Sequence, residues 1–506
     1  MSILSFSPFG YEGSIVNVEV DLRRGIPAVD IVGLSDGCVK VTRERVRCAI
    51  KNQGYDFPSE RVLISLSPAD IKKEGSGFDL PIALAVLEAQ LPQGENAKDA
   101  LFCMGELELS GSVRNVKGVN AGLQTALLKG IAFAIIPHTD NLVIPKGMKV
   151  ATVGTLAEAY NVMCKFAHGD YSDFGESDSE ENTEFKVEFN DVNEDESLDK
   201  ITEHNGLKYA MAVAVAGKHN ILAFGSPGCG KTMLLIRMPQ LMPKLTADEK
   251  ASVDRIYSIA SMSGCVKDNA RPFRMPHQTA IIEGICGGGA TCRPGEISLA
   301  HNGVLFLDEA AEFRTSVLQM LRVPLETKTI TLSRAGRSTV YPANFQLVMA
   351  TLPCPCGNYG VKDRICLCSA KSIEQYWRKF SAPLLDRIEI RFHADDDKST
   401  AFFSLEELRN MIKNAWIVQH NRQGKLNAEL TADEISKYII LTKDANDIIC
   451  NYKTNEEYSP RTLSNILKLA RTLQDMRGVD GVASTEVDDI AVMGAVKLRK
   501  STVLGI

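Results

Sequence analysis

The sequence predicts a multidomain α/β protein, with a mixed N-terminal domain, a core built on a parallel sheet and a helical C-terminal region. Three observations support this prediction. The chain has 506 residues, more than one hydrophobic core usually organises. Residues 221–224 and 304–307 are short, wholly apolar runs, as expected for buried parallel strands. Polar or glycine-rich residues follow each run, as they do at the ligand-binding edge of such sheets.

Residues 1–165 are predicted to form an α+β domain. Apolar residues occupy every second position from Val16 to Leu22, which indicates a strand with one buried face. Further strand-type runs alternate with helix-like segments, at residues 29–34, 36–52, 62–66 and 81–89.

Residues 166–186 are predicted to be an acidic linker. Residues 170–199 carry thirteen Asp or Glu and one cation, Lys186, so this stretch holds a charge of −12 and the rest of the chain +6. The part from 170 to 184 is too charged and too poor in apolar residues to order itself. We interpret it as a solvated tether, with a regulatory tail that competes with an anionic ligand as the alternative.

A glycine-rich octamer after the first apolar run predicts a phosphate-binding loop. The octamer and the residue behind it are Gly225, Ser226, Pro227, Gly228, Cys229, Gly230, Lys231, Thr232 and Met233. Its glycines allow a tight curl that aims backbone N–H groups at phosphates, Lys231 adds a positive charge, and Thr232 can bind Mg²⁺. A harmless turn is the alternative for such an octamer taken alone.

The second apolar run ends in Asp308 and Glu309, which supply the other half of such a site. At the carboxyl end of a parallel strand, Asp308 is expected to face Mg²⁺ and Glu309 the attacking water. Together the two motifs predict nucleotide binding and hydrolysis, and they argue against a harmless turn.

Composition argues against several other classes of protein. No eighteen-residue apolar segment occurs, and residues 1–6 lack the cationic start of a secretory signal, so neither a membrane span nor a leader is expected. Thirteen cysteines, an odd number scattered over a long chain, indicate reduced thiols rather than a disulfide framework. A cytoplasmic protein is expected.

Four of these cysteines form a separate motif. Cys354 and Cys356 are separated by one residue, and Cys366 and Cys368 repeat that spacing further along. Two such pairs can place four thiolates around a tetrahedral Zn²⁺, although the usual knuckle has two residues within each pair. A structural zinc site is the prediction, with a reduced cysteine cluster and a transient disulfide as the alternatives.

The sequences around the two nucleotide motifs resemble the AAA+ ATPases of the magnesium chelatase group, and most closely the bacterial family of the competence protein ComM. The resembling stretches run in family order, at residues 271–277, 287–289, 294–303 and 383–387. The resemblance implies an AAA+ core at residues 187–395 and a helical lid at residues 396–506. It also implies ATP and Mg²⁺ as cofactors and a homohexameric ring.

In such rings an arginine of the neighbouring subunit meets the γ-phosphate and neutralises charge in the transition state. The resemblance assigns this role to Arg387, with a salt bridge to Asp386 or Glu389 as the alternative. It assigns the sensing of bound ATP to Arg461, which begins an amphipathic segment of the lid.

One residue departs from the family pattern. Relatives usually carry an asparagine that helps to orient the lytic water, and this chain has Leu352, whose side chain cannot form a hydrogen bond. Either Thr351 substitutes for the asparagine after a local shift, or turnover is slow.

The N-terminal domain resembles the fold of Lon-type proteases at residues 73–79 and 105–111. A Ser–Lys protease needs a hydroxyl and an amine within hydrogen-bond reach. Gly77 occupies the place of the nucleophile, with Ser76 one residue early, and Asn120 occupies the place of the lysine. We therefore expect a catalytically dead domain that binds something, such as an unidentified protein partner.

A basic segment after the Asp308 strand is predicted to form a hairpin around residues 335–336. Lys328, Arg334 and Arg337 could follow the phosphate backbone of DNA, or could be the solvated face of an ordinary hairpin. A second candidate loop contains Arg271, Arg274 and Arg293.

The leading hypothesis from this resemblance is an ATP-driven ring motor that acts on single-stranded or branched DNA, a branch-migration helicase of recombination and natural transformation. The alternatives are a chelatase-type ATPase that remodels a protein partner, and a nucleotide-binding scaffold with weak turnover.

Overall fold

The computed structural model describes residues 1–34, 36–68, 73, 76–91, 100–139, 142–176, 185–262, 264–266, 268–289, 291–334, 337–361, 364–397, 401–454 and 459–500. None of the helices in these ranges has both the length and the apolar character that crossing a membrane requires.

The first part of the chain builds one mixed sheet. Its elements are β1 (Ser2–Ser7), β2 (Ser14–Arg23), β3 (Val29–Val32), α1 (Asp36–Asn52), β4 (Arg61–Ser67), α2 (Asp79–Glu88), β5 (Ala100–Cys103), β6 (Glu106–Leu107), β7 (Val113–Arg114), α3 (Val119–Leu128), β8 (Phe133–Pro137), β9 (Lys149–Val153), α4 (Leu156–Ala167) and β10 (Gly175–Glu176). Eight strands pair in the order β10-β9-β8-β5-β1-β2-β4-β3. The β6–β7 hairpin stands apart from them.

Helices cover both faces of this sheet. Apolar residues of α1, α2 and α4 pack in one core, and α3 packs in a second core. Neighbouring residues of one strand, such as Leu101 and Phe102, face opposite cores, because successive side chains of a strand alternate. The predicted strand at residues 16–22 is confirmed as part of β2, with Val16 and Val18 buried.

The first part of the acidic segment is ordered, contrary to the prediction of a tether from residue 170. Strand β10 pairs with β9, and the Tyr171 ring stacks on Phe133 with the ring centroids 4.7 Å apart. Phe174 is buried against the same aromatic cluster. Two aromatic side chains therefore hold a stretch that its charge alone would leave solvated. Residues 177–184 lie outside the described part, and the domain boundaries stay predictions.

The predicted catalytic inactivity of the first domain also stays a prediction. Lys73 is fully buried, and its ammonium group donates to the carbonyl oxygen of Pro68. The Asn120 side-chain oxygen accepts from the backbone N–H of Val143. Both groups thus have local hydrogen-bond partners within the fold.

The core is a five-stranded parallel sheet. Its elements are α5 (Asn205–Gly217), β11 (Ile221–Phe224), α6 (Lys231–Leu235), α7 (Ala247–Ile259), β12 (Phe273–Arg274), α8 (Ile282–Cys286), β13 (Gly287–Gly288), β14 (Arg293–Pro294), α9 (Glu296–Leu299), β15 (Val304–Leu307), α10 (Thr315–Met320), α11 (Arg322–Thr327), β16 (Thr329–Arg334), β17 (Arg337–Pro342), β18 (Gln346–Thr351), α12 (Ala370–Arg378), α13 (Ala382–Leu385) and β19 (Ile390–His393). The strand order is β12-β15-β18-β11-β19.

Both predicted apolar runs are central strands of this sheet, as the sequence indicated. Strands β11 and β15 are buried throughout. On one face, residues such as Ile221 and Phe306 pack against α5 and the C-terminal helices, whereas Phe224 and Leu307 pack in a core on the opposite face. Burial on both faces explains why neither run alternates with polar residues.

The C-terminal region is helical, as predicted. Its elements are α14 (Leu405–Gln423), α15 (Ala432–Tyr438), β20 (Ile440–Leu441), α16 (Lys443–Thr454), α17 (Pro460–Met476), β21 (Glu486–Val487) and α18 (Asp489–Lys500). Helices α14 and α17 pack on α5 of the core. Trp416 of α14 donates its indole N–H to the Val215 carbonyl oxygen at 3.1 Å, which joins the region to the core.

The first sheet contacts the core through the turn between β1 and β2. Arg255 of α7 donates to the carbonyl oxygens of Tyr11 and Glu12 and lies over the Tyr11 ring, 4.4 Å from its centroid. The backbone N–H of Tyr11 donates to the hydroxyl of Thr339 in β17 at 2.9 Å. The turn is thus seated between α7 and the hairpin.

Candidate nucleotide site

The glycine-rich octamer forms a tight loop between β11 and α6. Gly228 and Gly230 both have φ of +81°, a conformation that side-chain-bearing residues rarely adopt. Helix α6 begins at Lys231. Among the described residues, none beyond its chain neighbours comes within 4 Å of the position that a Cβ would take on Gly228, so the outer side of the curl is open.

Lys231 closes the loop from inside. Its ammonium group donates to the carbonyl oxygens of Gly225 and Ser226, each at 2.8 Å, and lies 3.3 Å from the Cys229 sulfur. The side chain is largely buried. The lysine charge therefore lies within the loop, where an anion bound against the backbone would meet it.

Two oxygen groups meet beside Lys231. The Thr232 hydroxyl donates to Asp308 Oδ1 at 2.9 Å, across residues that are far apart in the sequence. A hydroxyl and a carboxylate are hard oxygen ligands of the kind that Mg²⁺ prefers. The donor set and the open curl therefore fit a nucleoside triphosphate with its Mg²⁺.

Glu309 has an unusual backbone conformation. Its φ of +48° lies in the left-handed region, and its side chain is exposed at the carboxyl edge of the sheet. Such a conformation costs free energy in a residue with a side chain, and it is more frequent at functional sites. The assignment of Glu309 to the attacking water stays a prediction.

Asp395, which the motif analysis overlooked, holds the start of the loop. Its carboxylate accepts from the backbone N–H of Ser226 at 2.7 Å and from the Ser226 hydroxyl at 2.5 Å. Asp397 accepts from the N–H groups of Gly206 and Leu207 at the start of α5. The signal in the sequence was a run of three aspartates at residues 395–397, two positions after the end of β19.

Met233 and His204 flank the loop. A Cβ on Gly230 would lie 3.5 Å from the His204 ring and 3.6 Å from the Met233 Cε. Met233 is 45% exposed, which is high for a large apolar side chain. Beside the phosphate loop, Met233 offers an apolar surface and the His204 ring a flat one. Both surfaces are suited to the base of a nucleotide.

The strand next to β11 ends at the residue that departs from the family pattern. The Thr351 hydroxyl is buried and lies 2.8 Å from the Tyr376 hydroxyl, so in this arrangement it does not replace the missing asparagine. Leu352 packs against the core. Both explanations of the departure, a local shift that brings Thr351 into place and slow turnover, stay predictions.

Arg387 lies at the opposite end of the parallel strands from the phosphate loop. Its backbone carbonyl oxygen accepts from the side chain of Asn220, which precedes β11, whereas the phosphate loop starts at Gly225, after β11. Asn220 and Gly225 are five residues apart along an extended strand, a distance of about 16 Å. Within one chain, Arg387 and the phosphate loop therefore flank opposite ends of the same strand.

The predicted alternative, a salt bridge from Arg387 to Asp386 or Glu389, is wrong. Its guanidinium donates to Glu326 Oε2 at 2.5 Å and to the Pro383 carbonyl oxygen at 2.6 Å. The same carboxylate lies 3.8 Å from Arg461. The hydrogen bond from Arg387 lowers the pKa of Glu326. Two arginines from distant parts of the chain therefore converge on one carboxylate.

The predicted hairpin is confirmed, whereas the contact of its three cations with a phosphate backbone stays a prediction. Strands β16 and β17 pair with Arg334 directly opposite Arg337 beside the tip. Arg334 is exposed, whereas the Arg337 side chain and residues 335–336 lie outside the described part. Lys328 precedes β16 at the base, six residues and about 20 Å along the strand from Arg334.

The arginines of the second candidate loop that the structure pairs have structural roles. Arg271 is buried and donates to both carboxylate oxygens of Glu249. Arg274 forms a bidentate pair with Glu296 at 2.6 and 2.8 Å. Arg271 is thus neutralised in the core, and Arg274 is neutralised at a partly exposed position.

The four cysteines cluster as the motif predicted. All four sulfur atoms lie within 4.8 Å of one another. Cys354 Sγ is 3.3 Å from Cys356 Sγ and 3.7 Å from Cys366 Sγ, close to the separation of about 3.8 Å expected around a tetrahedral Zn²⁺. The backbone N–H of Asn358 lowers the pKa of the Cys356 thiol to about 6. Four convergent sulfurs fit a soft, tetrahedral metal.

Three family models match the chain in succession. The model described as magnesium chelatase, subunit ChlI, matches residues 197–401. The models described as subunit ChlI of Mg-chelatase and as the C-terminal part of that subunit match residues 18–140 and 404–499. The described core, with its phosphate loop and Asp308, lies within the first of these matches.

Individual relatives extend this result over most of the chain. YifB of Salmonella typhimurium is 34% identical over 494 residues, which cover 95% of this chain and 94% of YifB. Competence protein ComM of Haemophilus influenzae is 34% identical over 492 residues, which cover 94% of each chain. DNA replication licensing factor mcm7 of Schizosaccharomyces pombe is 25% identical over 300 residues, which cover 54% of this chain and 35% of that protein.

Proposed function

The chain belongs to the magnesium chelatase-like family of AAA+ ATPases that includes competence protein ComM, and from this premise we propose that it is an ATP-driven homohexameric ring motor that moves branched or single-stranded DNA. The narrower proposal is a branch-migration helicase that serves recombination and natural transformation. The observation that carries it is the placement of Lys231 and Arg387 at opposite ends of strand β11. It is joined by the exposed Arg334 beside the tip of the β16–β17 hairpin.

The roles of the residues follow from their positions. Lys231 and the backbone of the loop bind the phosphates, and Thr232 with Asp308 binds the metal ion. Glu309 orients the water and accepts its proton. ATP with Mg²⁺ supplies the phosphoryl group and the energy of its transfer when bound.

The placement of Arg387 supports the proposed ring. An arginine at one edge of a subunit can reach the phosphate loop at the other edge only if that loop belongs to a neighbour. In a closed ring every subunit gives one arginine and receives one. Arg461 lies beside Arg387 on the same carboxylate, so we propose that it also approaches the nucleotide of the neighbour.

DNA is the proposed substrate because of the hairpin. Thr339 and Tyr341 anchor the lower part of β17, both buried, while Arg334 near the tip is exposed. Arg334 and Arg337 on facing strands would meet a phosphate backbone together, and such contacts give salt-sensitive affinity for any sequence. The name of the ComM relative, a competence protein, and that of mcm7, a DNA replication factor, support this direction.

The remaining parts of the proposal concern cofactors, partner and place. One structural Zn²⁺ is proposed at the four cysteines, in addition to ATP and Mg²⁺. The first domain is proposed to bind an unidentified protein partner. All thirteen cysteines lie in the described part as thiols outside any disulfide, which supports a reducing compartment, and the cytoplasm is the proposed location.

The test is the ATPase rate of the purified full chain with and without forked or single-stranded DNA, at several salt concentrations. We expect stimulation by DNA that fades as salt rises, because phosphate contacts release counterions. Lys231→Ala is the control for contaminating ATPases. An ATPase that ignores DNA but responds to a co-purifying protein would contradict the DNA motor and favour the remodelling function that the chelatase models suggest.

A further inference from the structure

The four-cysteine cluster lies against the phosphate loop. We call the described residues 353–361 and 364–369 the cysteine loop. Cys354, the buried member of the cluster, comes three residues after the end of β18, and β18 pairs with β11, the strand that leads into the phosphate loop. The cluster and the nucleotide site are thus built on the ends of neighbouring strands.

A direct contact joins the two loops. The backbone N–H of Gly357 donates to the Cys354 carbonyl oxygen at 2.9 Å, which closes a turn around the first cysteine pair. A Cβ on Gly357 would lie 2.7 Å from the Pro227 ring, closer than atoms can approach. The backbone of the cysteine loop therefore rests directly on a residue of the phosphate loop.

Further contacts hold the same unit together. The indole N–H of Trp377 donates to the Pro353 carbonyl oxygen at 3.0 Å, and the Trp377 ring meets Phe224 edge-on with centroids 5.6 Å apart. The N–H of Gly225 donates to the Thr351 carbonyl oxygen at 3.3 Å. The phosphate loop is thus contacted at Gly225 by β18 and at Pro227 by the cysteine loop.

Little besides the cysteines holds the outer part of the cysteine loop. Ile365 and Leu367, which flank Cys366, are 81% and 89% exposed, so apolar burial does not fix this segment. Four convergent sulfurs without a metal would leave three partly or fully exposed thiols close together. A tetrahedral metal would hold this segment by four strong metal–sulfur bonds, in place of the apolar contacts that it lacks.

We propose that a Zn²⁺ held by Cys354, Cys356, Cys366 and Cys368 clamps the cysteine loop onto Pro227 and thereby sets the affinity of the phosphate loop for ATP. This inference rests on the proposed nucleotide site, to which it adds a metal that never touches the nucleotide. Nucleotide binding then depends on the metal and on the reduced state of the thiols.

The first measurement is the zinc content of the full chain, purified without chelators. We expect about one Zn²⁺ per chain, as four cysteine ligands complete one tetrahedral site. Cys356→Ser, at the exposed cysteine of the cluster, should lose most of the zinc, whereas Cys265→Ser, at an exposed cysteine elsewhere, should keep it. Equal zinc in the two variants, or none in the native chain, would overturn the inference.

The second measurement separates the clamp from the metal site. Gly357→Ala keeps all four cysteines but pushes a methyl group into Pro227, and Gly360→Ala introduces the same backbone strain in the same loop without touching the phosphate loop. Both variants should keep their zinc. The Kd of methylanthraniloyl-ATP should rise about tenfold for Gly357→Ala, the equivalent of one strained contact, and little for Gly360→Ala.

The outcomes distinguish this inference from the proposed function. Equal Kd values for Gly357→Ala and Gly360→Ala would overturn the clamp even if DNA stimulates the ATPase strongly. Conversely, zinc dependence of methylanthraniloyl-ATP binding in a chain that ignores DNA would support the clamp and contradict the DNA motor.

Discussion

The two ends of strand β11 differ in how they hold their charged groups. At the carboxyl end, Lys231 is buried and bonded to carbonyl oxygens of its own loop, and Thr232 is bonded to Asp308. At the amino end, Arg387 and Arg461 share Glu326, a carboxylate that is 57% exposed. The first arrangement is internally closed, whereas the second can exchange its partner for another anion.

This difference fits the proposed ring, in which a second chain completes each site. The Arg387–Glu326 ion pair is only partly exposed, with 11% of the arginine and 57% of the glutamate side chain accessible. On the proposed function, a triphosphate of a neighbouring subunit replaces Glu326 as the partner of these arginines. The buried lysine instead meets the phosphates of its own nucleotide. On the proposed function, the carboxyl end of β11 holds the nucleotide of its own chain, and the amino end completes the site of a neighbouring subunit. The predictions below test this division.

The largest effect is expected from removing one group at each edge. Lys231→Ala and Arg387→Ala should each lower ATPase activity by about a thousandfold or more, because binding and transition-state charge neutralisation are lost. An equimolar mixture should regain activity, since some sites then combine Lys231 of one chain with Arg387 of the other. Mixed rings that form, as judged by mass, and stay inactive would contradict the division.

Glu309→Gln tests the chemistry of the carboxyl edge alone. The amide cannot accept a proton, so turnover should fall by about a hundredfold or more while ATP binding persists. The matched control is Glu312→Gln, an exposed carboxylate three residues further along, which should hydrolyse ATP normally. Single-turnover hydrolysis and methylanthraniloyl-ATP binding are the two measurements. Loss of binding in Glu309→Gln would argue for a structural role.

Arg334→Ala tests whether the hairpin that follows Glu326 is the DNA contact. Affinity for single-stranded DNA should fall, and the slope of log affinity against log salt should decrease by about one. Arg378→Ala removes an exposed arginine that pairs with Glu374 on α12 and is the control. The measurement is a fluorescence titration at four salt concentrations. An unchanged slope would place the DNA elsewhere.

Glu326→Gln is expected to have the smallest effect. The amide holds Arg387 and Arg461 less firmly, so kcat should fall about fivefold or less, with KM nearly unchanged, because the arginines act on the neighbour's transition state. DNA stimulation should weaken as well, since Glu326 lies two residues before Lys328 at the base of the hairpin. Glu374→Gln is the control, and a raised KM with unchanged kcat would contradict this role.

The local parts of the site were predictable from the sequence. A phosphate loop depends on glycines at fixed spacing and on a lysine and threonine directly after them. The octamer therefore predicts the loop geometry that the structure shows. The strand before Asp308 could be identified because a buried parallel strand is apolar without alternation. Even the four cysteines met as their spacing indicated.

The long-range partners were not predictable. Asp395 reaches Ser226 only because β19 pairs with β11, and the strand order is not written in any local spacing. Glu326 meets Arg387 for a similar reason, across sixty residues of chain that include the hairpin. In the sequence Arg271 and Arg274 look like any exposed cations, and only the packed fold buries Arg271 and pairs Arg274 with Glu296.

The sequence by itself determined which chemical groups this protein has and how each lies within its own turn or strand, because backbone conformation and capping depend on neighbouring residues. Only the tertiary structure decided which groups meet: that Arg387 and the phosphate loop lie at opposite ends of β11, and that the cysteine loop rests on Pro227. Such meetings depend on strand order and on packing across the sheet, which join residues that the chain itself keeps far apart.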